Sequence, residues 1–132
     1  MYRLLILARA ESSPSLKKFA AAIRSHFSHL KPPHKITTSL RGGTLTVRID
    51  KFPFFIGFSC EPHVLLESKE IAERFAAEHP KRAAIAVASC RFELNSANDA
   101  GMDHFNDMIF ICHAAEAMGE VYIFNPRAKE FV

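Results

Sequence analysis

Residues 35–50, KITTSLRGGTLTVRID, constrain the fold more than any other stretch of the chain. Ile36, Thr38 and Leu40 alternate with other residues, Gly42-Gly43 follow, and Leu45, Val47 and Ile49 alternate again. A period of two puts successive side chains on opposite faces of a sheet, and paired glycines accept the positive φ of a tight reversal. The stretch is predicted as an antiparallel hairpin. Phe52, Phe54, Ile56, Phe58 and Cys60 share one face of a third strand, with Phe55, Gly57 and Ser59 on the other. Three such strands need a cover for their apolar face, and the flanking segments supply helices.

Tyr2–Ala8 reads as a first strand. Ser12-Ser13-Pro14 then offers an N-cap and a proline for the first helical position. Leu16, Phe19, Ala20, Ile23 and Phe27 fall on one helical face, with Lys17, Lys18 and Arg24 elsewhere, until Lys31-Pro32-Pro33 stops the helix. A second helix is predicted from near Ser68 to Glu78, with Ile71, Ala72 and Phe75 inward. RAAIAVASCRFEL reads as a buried strand from its near-continuous apolar run, although its alanines also suit a helix. A third helix follows, with Phe105, Met108, Ile109, Cys112 and Ala115 inward and Gly119 closing it. EVYIF is a last strand, Asn125-Pro126 a turn and Glu130–Val132 a tail. The order βαβββαβαβ defines an α+β fold: one domain, residues 1–132, with a mixed, mainly antiparallel sheet and helices mostly on one face. At 132 residues the chain can build one core but not two.

Charge is distributed unevenly. Residues 1–50 hold nine Lys and Arg against two acids, and residues 92–132 hold two against seven. Such polarity favours oriented electrostatic contacts, either within the fold or with a partner. Cys60, Cys90 and Cys112 are odd in number, far apart and near apolar runs, so they are expected as buried, unpaired thiols in a cytoplasmic protein. The apolar run at the start, Leu4 to Ala8, is too short for the hydrophobic region of a signal peptide. No run reaches transmembrane length, so no membrane partner is expected.

The acids concentrate in SANDAGMDHFND, residues 96–107. Asp103 and Asp107 are four apart and His104 is three before Asp107, so all could meet one metal from a helix start. No other segment offers a His or Cys to complete the set, and acids at a helix N-terminus also cap free amides and favour the dipole. Asp99 or Asp103 fits the cap, which leaves Glu93 and the other acids in surplus. Arg91, at the end of the apolar run, is a natural ion-pair partner for them. The expected partner-binding set is therefore Glu93, Asp99, Asp103, His104, Asp107 and Arg91. No catalytic residue, metal ligand or cofactor is assigned. The chain contains no glycine-rich phosphate loop, nucleophile elbow, HExxH or CxxC. Cys112-His113 are neighbours on a helix, about 100° apart, and poorly placed to form a dyad. The basic residues of the first helix lack a nucleic-acid motif, and nucleic acid is not the expected partner.

The C-terminal third, through MDHFND and the closing VYIFNPRAKEF, resembles small bacterial domains of the immunity-protein type, which neutralise secreted toxins by direct binding. The resemblance implies a non-enzymatic protein-binding domain whose partner is a toxin, with a cationic one suited to the acidic segment. The basic first half departs from the acidic composition common among nuclease inhibitors. Two other readings stand beside it. One is a metal-assisted hydrolase using Asp103, His104 and Asp107; the other is a homo-oligomeric structural domain, such as a homodimer.

Overall fold

The computed structural model describes residues 1–30 and 34–132, so the expected helix stop at Lys31-Pro32-Pro33 lies outside the described residues. Strand β1 (Arg3–Ala8) leads through a short 3₁₀ turn, Ala10–Ser12, into helix α1 (Leu16–Phe27). Strands β2 (Ile36–Arg41), β3 (Thr44–Ile49) and β4 (Phe52–Ser59) form the expected meander. Helices α2 (Pro62–Phe75) and α3 (Arg82–Ala86) follow, then β5 (Cys90–Ser96), α4 (Phe105–Ala117), β6 (Val121–Asn125) and β7 (Glu130–Phe131). The fold is α+β. Among the described residues, seven strands form one sheet in the order β2-β3-β4-β5-β1-β6-β7, with every pairing antiparallel.

The hairpin forms as its residues dictate. Gly42 and Gly43 take φ of 55° and 77°, and Leu45, Val47 and Ile49 are buried. With Leu4, Ile6, Phe54, Ile56, Phe92 and Leu94 they make one sheet face, on which α1 and α4 lie side by side. Phe19 of α1 meets Phe92 edge to face, with ring centroids 4.9 Å apart. The opposite face is covered over β1 and β6. There Leu5, Leu7, Tyr122 and Phe124 pack against Ile71 and Ala72 of α2 and Ile85 of α3.

Several local expectations are corrected. Helix α1 is capped by Ser15, whose hydroxyl accepts from the Lys18 amide, and Pro14 stands before the helix. Ser13 takes φ 51° and turns the chain into that start. Helix α2 begins at Pro62, not near Ser68, because the fixed φ of proline suits the first helical position. RAAIAVASCRFEL divides in two: alanine's helix propensity prevails over Arg82–Ala86, and the strand begins at Cys90. Met108, Cys112 and Ala115 of α4 are buried as expected, joined by Asp107, Ile111 and Ala114. Phe105 is not core; it is 38% exposed at the first position of α4, where Asp107 and Met108 are the residues of the opening turn that face inward. Ile109 is half-buried. Gly119, φ 143°, follows the helix as its C-terminal stop, and the expected tail pairs with β6 as β7.

The expectation of three buried, unpaired thiols is also overturned. Cys60 and Cys90 are joined by a disulfide, and Cys60 is exposed. The cause is strand register. Ser59 pairs with Arg91, so the next antiparallel rung sets Cys60 opposite Cys90, with Cα atoms 4.2 Å apart. Cys112 alone is a buried free thiol, pushed up to about 12 by burial and, secondarily, by the Glu116 charge. It stays protonated at neutral pH, and His113 beside it is exposed.

Candidate partner surface

The loop between β5 and α4 is organised by one carboxylate. Asp99 Oδ1 accepts the amide of Asp103 at 3.1 Å; its Oδ2 accepts the amide of His104 at 2.8 Å and the Tyr2 hydroxyl at 2.6 Å. The Asp99 carbonyl also accepts the Met102 amide, closing the turn at 3.0 Å. Asp99 thus braces the turn ahead of the helix, but the cap expected of Asp99 or Asp103 does not form: His104 holds the N-cap position of α4 with no side-chain bond to the first turn, because Asp99 stops at the amides of Asp103 and His104. For Asp99, desolvation is the largest single influence and acts to raise the carboxyl pKa. The bonds from Tyr2, His104 and Asp103 together outweigh it and hold the group below the ordinary carboxylate range.

Asp107 lies in the first turn of α4 and is 5% exposed. Its Oδ2 stands 2.8 Å from His104 Nδ1, and its Oδ1 is 4.0 Å from His34 Nδ1. His104 is stacked on Phe52, with centroids 4.1 Å apart and planes at 10°. His34 Nδ1 is also 2.8 Å from Asp50 Oδ2, and Asp50 Oδ1 accepts the Lys35 amide. These contacts join α4 to the start of β4 and to the segment leading into β2. Asp107 and His104 therefore position the loop from beneath.

Asp103 differs from its neighbours. It is exposed, and among the described residues its carboxylate has no hydrogen bond or ion pair. Beside it stand Met102, 60% exposed, and Phe105. Met102 holds φ 57°, a left-handed conformation that bulky residues seldom adopt.

Arg91 and Glu93 are not part of this assembly. They sit on the opposite sheet face, where Arg91, 7% exposed, bonds Glu93 at 2.9 Å and Glu67 of α2 at 3.2 Å. The acidic set expected from the sequence thus divides between a loop and an ion-pair triad tying α2 to β5. Tyr2, His34, Asp50 and Phe52 were missed as contributors, because they come from sites 45 or more residues away in the chain. The alternation of Tyr2 with Leu4 and Ile6 would have placed its ring on the α4 side, the one signal available.

Among the described residues, no three His, Cys, Asp or Glu side chains come together as a metal-ligand set. No described helix is long and apolar enough to cross a membrane. The fold and this loop define an α+β domain with a braced surface that is part acidic and part apolar. No family model, curated protein or solved structure matches the chain.

The two tyrosines report on this packing. Tyr2 is pushed up to about 12, first by burial, then by its bond to Asp99 and the charges of Asp99, Asp103 and Asp107. Tyr122 is pushed to about 12 by burial and by its hydrogen bond to Glu120. Since the folded values exceed the unfolded value of 10.0, these interactions stabilise the fold below pH 10 and fade as pH climbs from 10 toward 12. In an alkaline absorbance titration, the native protein is expected to show little tyrosinate at pH 10, where the denatured chain is half ionised. Equal titration of the two forms would contradict the Tyr2–Asp99 and Tyr122–Glu120 contacts.

Proposed function

We propose that the chain is a non-enzymatic protein-binding domain of the immunity type, and that it meets its partner through the loop of residues 99–105. One observation carries the reading: Met102, Asp103 and Phe105 stand exposed on a loop held from below by Asp99, Tyr2, His104 and Asp107. Large apolar side chains beside a charge, on a backbone that needs little reordering, are the anatomy of a binding hot spot. The left-handed Met102 supports this, since strained conformations concentrate at functional surfaces. The Asp103 carboxylate, unpaired among the described residues, favours a cationic partner and speeds encounter with it. The Cys60–Cys90 bridge supports meeting that partner in an oxidising compartment, since such bonds are rare in a reducing cytoplasm.

The test is capture from native-host extract, followed by affinity measurement on the purified partner. Met102→Ser with Phe105→Ser is expected to weaken binding about 30-fold or more, the effect of removing a hot spot. Asp103→Asn is expected to slow association at low salt and leave dissociation nearly unchanged. Unaltered affinity in the double variant would place the partner surface elsewhere. Self-association lost in the double variant would favour the homo-oligomeric reading, and metal uptake lost in Asp103→Asn or His104→Ala would favour the hydrolase.

A further inference from the structure

Helices α2 and α3 pack over β5, β1 and β6, while on the same sheet face Ser39 and Arg41 of β2, Thr44 and Arg48 of β3 and Phe55 of β4 are exposed. The open region has an ordered composition. Strand register places Ser39, Thr46, Phe55, Asn95 and Arg3 in one row across five strands. Phe55 lies at the centre of the row, 39% exposed, on the face opposite buried Phe54 and Ile56. In the next row Thr37, Arg48 and Pro53 stand opposite one another. Lys35, Thr37, Arg48 and Lys51 border a single groove.

We propose that this open face binds single-stranded nucleic acid, with Phe55 stacking a base and the surrounding cations taking the phosphates. Charge complementarity is the first argument. Arg3, Lys35, Arg41, Arg48 and Lys51 are all exposed, and among the described residues none of them forms an ion pair. The nearby carboxylates are engaged or removed: Glu93 is held by Arg91, Asp50 by His34 and the Lys35 amide, and Glu61 lies past the far end of β4. The face therefore presents unopposed positive charge to a polyanion. The second argument is shape. Short polar side chains on either side of Phe55, with Gly57 two residues on, leave a shallow surface around one ring. That suits the flat face of an unpaired base, with Thr46 and Asn95 offering hydrogen bonds at its edge. A duplex keeps its base faces stacked and cannot use the ring. The basic residues of α1, on the other side of the sheet, play no part in this site.

Fluorescence anisotropy with labelled oligo-U, oligo-dT and a duplex of matched length tests the proposal. The single strands are expected to bind more tightly than the duplex, with affinity falling as salt rises. Phe55→Ser should weaken single-strand binding about tenfold, Phe55→Leu should weaken it similarly, and Phe55→Tyr should preserve it. Arg48→Gln with Lys51→Gln should reduce the salt slope by about 1.4, at roughly 0.7 per phosphate contact in single strands. Met102→Ser with Phe105→Ser should leave this binding unchanged, which separates it from the loop's partner surface. No binding at low salt would overturn the proposal, as would equal duplex binding insensitive to Phe55. Displacement of the oligonucleotide by poly-glutamate in a Phe55-dependent manner would overturn it in favour of an acidic protein partner.

Discussion

Replacing Phe92 by alanine is expected to lower stability by about 3–5 kcal/mol, measured by urea denaturation. The ring is fully buried at the middle of β5. It meets Phe19 edge to face at 4.9 Å and Phe58 at 4.7 Å, so its removal opens a cavity between the sheet and α1 beside those two rings. A domain of this size has about 5–15 kcal/mol in total, and the variant should sit near the edge of folding. Phe105→Ala makes the contrast. It was expected to be core from its place in a helical stripe, yet it is exposed, and its main aromatic contact is Tyr2 at 6.2 Å. Its loss should cost about 1 kcal/mol or less. A larger loss at Phe105 than at Phe92 would mean that α4 is rotated about its axis relative to this structure.

Reducing the Cys60–Cys90 disulfide is expected to cost about 3–4 kcal/mol, the chain-entropy effect of releasing a loop of this length. The bridge spans 30 residues, which contain α2 and α3. Those helices meet the sheet through a modest apolar cluster and the Arg91 triad, so the bridge adds a constraint where packing is thinnest. Thiol counting checks the pairing directly. Without reductant, denaturant should expose one reactive thiol, Cys112; after reduction it should expose three. Three thiols in the unreduced denatured protein would exclude the bridge.

Elements whose information is local were legible in the sequence. The β2–β4 meander follows from alternation and the Gly42-Gly43 reversal, and α1 from its apolar stripe. Residues 82–96 misled because the apolar run is continuous: strand and helix both bury such a run, and only alanine content distinguishes its first half. The disulfide was hidden because nothing in a spacing of 30 residues reveals strand register. The site divides in the same way. A local role for Asp99 depends on neighbours within five residues and could be foreseen, although it braces the turn instead of capping α4, whereas Tyr2 reaches it across 97 positions. Arg91 and Glu93 stand apart from the loop because alternation along β5 puts them on the sheet face that carries α2.

The place of β1 bears on how the chain is made. It precedes the other six strands of this sheet in the chain, yet it lies between β5 and β6, the fourth and fifth strands to follow it. While the ribosome extends the chain, the meander can close on itself, but Leu4–Ala8 must wait for both neighbours with its backbone unpaired. Contacts of such long sequence separation slow folding and prolong the exposure of apolar strand. A chain stopped before Val121 would yield a sheet ending at β1, with a ready-made aggregation edge where the seven-stranded sheet has β6.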